Sequence, residues 1–259
     1  MKGQKLFEKA KLILESLHEK NINMSRHEVD ELTNAYKKTL RKSAYYGNNE
    51  AQYELAQFLE TTSNILETNY NKKSFYWYQK SCNNGNADAC LLLSDYYVNG
   101  KVVSKNKTKE LSLMLKAYNL NCNIAAFNIA IFYKRYKEYN KSIEWLKKYL
   151  ELAPSDGDAI FELSTFYYEG LGTKKHFKKS YELMLDAMKS NYITQYCKEE
   201  IFFRIAKMYF YGIFFEKSLE KAKYLLEKAN TNNDHENVYE FYKTHNALLK
   251  NIKKEKVTF

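Results

Sequence analysis

One phrase recurs in register along this chain and constrains its fold more than any other feature. The sequence reads LSDYYVNG at 93–100, LSTFYYEGLG at 163–172 and IAKMYFYG at 205–212. Behind these copies lies a wider pattern, small-x-x-x-apolar-small-x-x-aromatic. Ala51, Leu55, Ala56 and Leu59 carry it first, then Ala89, Leu93, Ser94 and Tyr97. Ala125, Ile129, Ala130 and Tyr133 follow, then Ala159, Leu163, Ser164 and Tyr167, with a looser copy at Ile201, Ile205, Ala206 and Tyr209. The copies start 38, 36, 34 and 42 residues apart. Offsets of four and eight put these residues on one helical face, and a period of this length marks an array of small repeated units.

A second amphipathic phrase follows each first one. Ser74 leads to Trp77 and Tyr78, Ser142 to Trp145 and Lys148, Ser180 to Leu183 and Ala187, and Ala222 to Leu225 and Ala229; Glu110, Leu113 and Ala117 form a weaker copy. Each unit is therefore expected to be a hairpin of two antiparallel helices, the first called A and the second B. Alanine and serine let neighbouring backbones approach, and large apolar residues fill the space beside them. A lone hairpin cannot bury its apolar face, but stacked hairpins can. Gly100, Gly170 and Gly212 each follow a tyrosine by three residues, where a left-handed cap would end an A helix, and Gly47 and Gly85 are placed to end B helices. A single proline and eight glycines fit long helices joined by short loops.

The expected architecture is all-α, a right-handed superhelical solenoid in one repeat domain over 1–259. A degenerate hairpin occupies 1–46, with helices at 4–19 and 26–46 and a capping box at Ser25 and Glu28. Repeats follow at 47–85, 86–121, 122–155, 156–192 and 196–230. A last helix near 235–253, capped by Asp234, leads into a frayed tail, KKEKVTF.

The combined phrase resembles the Sel1-like repeat, a relative of the tetratricopeptide repeat, over about residues 36–229. The best match is 159–187, with Gly170, Leu171, Gly172, Lys179, Ser180 and Ala187, and 73–97 is nearly as good. The unit from Ala125 to Pro154 is more similar to the shorter tetratricopeptide repeat: its turn KEYN lacks the glycine pair, and YLELAPSD resembles that repeat's usual end. The resemblance implies a scaffold or adaptor that binds a protein or peptide on a concave face rather than an enzyme. Some bacterial proteins of this kind look like toxin-neutralising immunity proteins, and a basic member would suit an acidic partner. The alternatives are an enzyme or enzyme subunit with an unrecognised site between helices, and a basic adaptor associated with nucleic acid.

Carried over position by position, the resemblance puts one column of A-helix residues in that groove: Tyr53, Leu91, Phe127, Phe161 and Phe203. Four residues on lies Gln57, Asp95, Ile131, Thr165 and Lys207, with Lys134, Arg135, Tyr168 and Tyr211 towards the rim. These rings would anchor a partner, or else fill space between successive A helices. Cys82 and Cys90 have the spacing of the disulfide in secreted cysteine-rich Sel1-like proteins, where nearly every repeat has the pair. Here only one unit has it, so reduced, buried thiols are expected.

The sequence carries no recognisable motif for catalysis, metal or cofactor binding. His27 and Glu28 lead to Glu31, an H-E-x-x-E without the second imidazole, and no two histidines stand four apart. Gly170-Leu171-Gly172 belongs to the repeat turn. No catalytic residue, metal or cofactor is expected. The net charge of +10 comes mostly from lysine. It would suit an acidic partner, and codon bias in a genome rich in A and T would produce it equally. Nucleic-acid binding would need basic and aromatic residues interleaved on one surface, whereas KKHFKK at 174–179 falls in an A–B loop. The start is interrupted by charges and no run is long enough to span a membrane, so a soluble, cytoplasmic chain is expected.

Overall fold

A computed structural model describes residues 2–20, 24–66, 70–100, 102–230 and 236–249. The expected capping residue Asp234 and the tail 253–259 lie outside them, as do residues 21–23 of the turn near 20–25. The described residues form an all-α repeat solenoid of paired antiparallel helices, in agreement with the sequence. Two compact units divide the chain, 1–129 and 130–259. The first holds the hairpins α1 (Lys2–Lys20) with α2 (Arg26–Tyr45), α3 (Asn49–Leu66) with α4 (Tyr70–Asn83), and α5 (Ala87–Asn99) with α6 (Lys107–Asn119). The division falls inside α7 (Ile124–Arg135). In the second unit, the end of α7 precedes α8 (Tyr139–Leu152), then the hairpins α9 (Gly157–Glu169) with α10 (Phe177–Lys189) and α11 (Gln195–Tyr211) with α12 (Leu219–Ala229), then α13 (Glu236–Leu249).

Small residues let the two backbones of a hairpin meet. Ser142 Oγ of α8 donates to the Ala130 carbonyl of α7 at 2.7 Å, and Ser180 Oγ of α10 donates to the Ser164 carbonyl of α9 at 2.9 Å. Ala206 and Ala222, the matching positions in α11 and α12, are completely buried. Near the opposite end of the hairpins, Ser43 Oγ donates to the Gly3 carbonyl at 2.7 Å and Ser81 Oγ to the Asn49 carbonyl at 2.6 Å. Hydroxyls that reach a facing carbonyl bring the backbones close and are themselves satisfied by it. Large side chains beside these contacts are fully buried, among them Tyr78 in the first unit and Phe132, Phe166, Met184 and Leu226 in the second.

The recurrent tyrosine has a backbone role as well as a packing role. The A–B loops are closed by hydrogen bonds to its carbonyl: Asn106 N to Tyr97 O at 3.1 Å, His176 N to Tyr167 O at 2.8 Å and Ser218 N to Tyr209 O at 3.0 Å. Asn106, His176 and Ser218 then cap the B helices with their side chains. The shorter turn after α7 uses the same atom, with Glu138 N on Tyr133 O at 2.9 Å. Gly170 must turn the chain at φ 74°, and its N–H caps α9 on the Phe166 carbonyl. The expected capping box is present, with Ser25 N on Glu28 Oε2 at 2.8 Å and Glu28 N on Ser25 Oγ at 3.4 Å. The run 174–179 spans the end of the α9–α10 loop and the first turn of α10.

The expectation of reduced thiols at Cys82 and Cys90 is corrected. The two are joined by a disulfide between the last turn of α4 and the first turn of α5, with Cα atoms 4.8 Å apart. A tight turn through Gly85 brings these two helix ends together whether or not other repeats carry the same staple, so the count of copies was a poor guide. Cys122 and Cys197 are free. Burial, the largest effect, pushes the Cys197 thiol up to about 11.

Denatured without reductant, the protein is expected to titrate two thiols, rising to four after reduction. Replacing both Cys82 and Cys90 by alanine should lower stability by about 2–3 kcal/mol, measured by chemical denaturation. Gly170→Ala forces a side chain into the left-handed region and should cost about 1–2 kcal/mol in the same assay.

Candidate partner-binding surface

In the first unit, the A helices α3 and α5 carry no lysine or arginine. Glu50, Glu54 and Glu60 lie on α3, and Asp88 and Asp95 on α5. Tyr53 is half-buried among these residues, with its ring 6.0 Å from that of Tyr78. Gln57 is exposed and donates from Nε2 to the Tyr53 hydroxyl at 3.0 Å. Burial raises the Tyr53 phenol, and the charges of Asp88, Glu50 and Glu60 add to the shift. Leu91 and Phe127 are half-buried and Asp95 is exposed. In this unit the expected column therefore presents apolar surface beside exposed polar groups.

Glu60 is held in place from below. Tyr78 donates to its Oε2 at 2.8 Å and Tyr96 to its Oε1 at 3.1 Å, while the Tyr96 hydroxyl also meets Ser74 Oγ at 2.7 Å. Burial pushes the Tyr96 phenol up to about 12, and the Tyr78 phenol rises further in the same direction. Both therefore stay protonated donors at neutral pH. Beside them Glu60, Asp95, Asn71 and Asn99 line a cavity of about 270 Å³.

The second unit treats the column differently. Phe161 and Phe203 are 6% and 8% exposed, and Thr165 is 4% exposed, so these three sit in packing. Above them lies Arg204, which the sequence reading passed over. Its guanidinium stands 4.9 Å from the centre of the Phe161 ring and 5.3 Å from that of Tyr168. Nη1 donates to Thr165 Oγ1 at 2.9 Å, and Glu200 and Glu169 lie 3.6 and 3.7 Å away. Four arginines occur in 259 residues, and 204 lies one position after the matched column at 203. That rarity and placement were the available clue. Lys134 approaches Glu162 to 2.5 Å as a charge pair without hydrogen-bond alignment, while Arg135 is exposed beside the Tyr136 ring. Ile131, Tyr168 and Lys207 are half-buried, and Tyr211 is exposed.

The A helices α3, α5 and α9 hold eight carboxylates and no cation, while the B helices α4, α6, α8, α10 and α12 are rich in lysine. The whole-chain value of +10 does not describe α3, α5 and α9; the A helices α1, α7 and α11 do carry lysine or arginine. Among the described residues, no group of three or more His, Cys, Asp or Glu side chains is placed to hold a metal ion. No helix among them is long and apolar enough to cross a membrane.

The Sel1 repeat model matches residues 49–86, 87–122, 157–187 and 203–234, more than half of the chain. It leaves out 123–156, the unit with the shorter turn. Among solved structures, the chain is similar to c5321, a protective antigen of uropathogenic Escherichia coli. The TM-score is 0.64 and the identity 25%, over 84% of this chain and 45% of that one. The chain therefore spans less than half the length of that relative. A Sel1 repeat protein from Oxalobacter formigenes matches at TM-score 0.60 and 20% identity, over 85% of this chain and 89% of that one. YrrB, a tetratricopeptide repeat protein with an unusual peptide-binding site, matches at TM-score 0.53 and 16% identity, over 79% and 97%. The last two show likeness of fold. No curated protein matches the sequence.

Removing Arg204 would take the guanidinium from Glu200, whose side chain is 8% exposed and which also accepts from Asn237 Nδ2 at 2.8 Å. Arg204→Ala should cost about 3 kcal/mol by denaturation, and Arg204→Lys should recover little of it, because one ammonium cannot span Thr165, two carboxylates and two rings.

Proposed function

The chain belongs to the Sel1 repeat family, and from that premise we propose that it is a non-catalytic scaffold taking up a segment of a partner protein or peptide on the A-helix faces of its hairpins. Folds of this class generally mediate protein–protein contacts through a concave groove. The observation that carries the reading is the A-helix face of the first unit. There exposed Gln57 and Asp95 flank half-buried Tyr53, Leu91 and Phe127, with carboxylates and no cation on α3 and α5. Apolar anchors give contact area, and the polar row sets register.

The charge of this face selects a partner segment rich in lysine or arginine, not the acidic one that the whole-chain balance would suit. It also weighs against nucleic acid there, because phosphate would meet like charge. In the second unit, Ile131, Lys134, Arg135, Tyr168 and Lys207 are the accessible members of the surface. Phe161, Thr165 and Phe203 support it from beneath. The Cys82–Cys90 disulfide favours action in an oxidising compartment over the cytoplasm.

Affinity capture from the native cell after nuclease treatment tests this reading. A stoichiometric protein partner is expected, with its bound segment basic, and the double reversal Asp88→Lys/Asp95→Lys should lower its affinity at least about tenfold without changing the fold. Unchanged binding by that variant would overturn the proposal. So would loss of every associate to nuclease.

A further inference from the structure

A second surface in the first unit has the opposite character. A cavity of about 650 Å³ opens between α2 and α4. Its floor is apolar and buried: Leu55 and Leu59 of α3 are 3% and 6% exposed, and Trp77 of α4 is 8% exposed. Two tyrosines flank it, Tyr45 and Tyr76, both exposed, with ring centres 5.1 and 5.2 Å from that of Trp77. Its charged lining consists of Arg41, Lys72 and Lys73, and no carboxylate lines it among the described residues. The helix α4 carries no Asp or Glu, and neither does α2 from Ala35 to Tyr45. Lys80, one turn beyond Tyr76 and 5.6 Å from its ring centre, extends the basic surface along α4.

Exposed aromatics beside a buried apolar floor mark a place where a partner's side chain gains by insertion. Cations on every charged position of the lining require negative charge on whatever enters. We propose that this cavity docks an acidic peptide segment, which inserts one large apolar side chain against Leu55, Leu59 and Trp77 while its carboxylates meet Arg41, Lys72 and Lys73. Basic and aromatic residues together also suit single-stranded nucleic acid. The ring geometry favours the peptide. Tyr45 and Tyr76 meet Trp77 edge to face, at 88° and 78°, and the indole is buried, so the rings do not form a platform of parallel exposed faces on which successive bases could stack. This surface is separate from the carboxylate-bearing A-helix face, and either can fail without the other.

The test is a random peptide display library panned on the full chain, with counter-selection on the variant Arg41→Glu/Lys72→Glu/Lys73→Glu. Enriched peptides are expected to pair Asp or Glu with a leucine, phenylalanine or tryptophan. A synthetic copy should shift the Trp77 emission in a Trp145→Phe background. Its affinity should fall at least about tenfold in the triple variant and on raising the salt. A melting temperature like that of the parent shows that the triple variant still folds, and Tyr76→Ala, with every charge kept, should weaken binding several-fold. An absent or non-acidic consensus, or peptide binding unchanged in the triple variant, would overturn the proposal. Oligothymidylate binding that the triple variant abolishes would overturn it in favour of nucleic acid.

Discussion

Everything in this molecule rests on how closely two helices can approach within a hairpin. At Ala130 with Ser142, and at Ser164 with Ser180, the side chains are small enough for a hydroxyl of one helix to reach a carbonyl of the other. A larger residue there would push the helices apart and open space that Phe132, Phe166 and Met184 now fill. The contact also fixes where the chain leaves the A helix, because the tyrosine whose carbonyl closes the loop stands three residues beyond the small one. Packing and turn are thus two readings of one register, which is why the phrase repeats as a block.

That block is local and periodic, so it was legible. The helices, the caps at Ser25 and Gly170, and the change to a shorter turn after Tyr133 all follow from residues near one another in sequence. The disulfide was not legible from the number of copies across repeats, because what decides it is where two particular helix ends meet. Arg204 was missed for a related reason. Its partners Thr165, Tyr168 and Glu169 lie on another helix about 35–40 positions away, and no phrase links them. The groove column was assigned by position alone, which cannot tell the half-buried Phe127 from the buried Phe161.

Charge shows the same limit from another side. A sum over the whole chain is positive, yet it averages the acidic A helices α3, α5 and α9 with lysine-rich B helices. Long-range attraction of a partner depends on the sum, whereas docking depends on the few groups within a Debye length of the contact. The sorting was present in the sequence all along. It becomes visible only when charges are counted helix by helix.

The Cys82–Cys90 bond ties the end of one hairpin to the start of the next. In a linear array each hairpin is held mainly by its immediate neighbours, so local opening can begin at an end and travel inward one unit at a time. A covalent tie between the end of α4 and the start of α5 fixes how those two helix ends meet and resists their separation there. Opening that starts at α1 then meets a firm stop, and the backbone amides around α4 and α5 exchange with solvent together, through a larger cooperative event, instead of one hairpin after another.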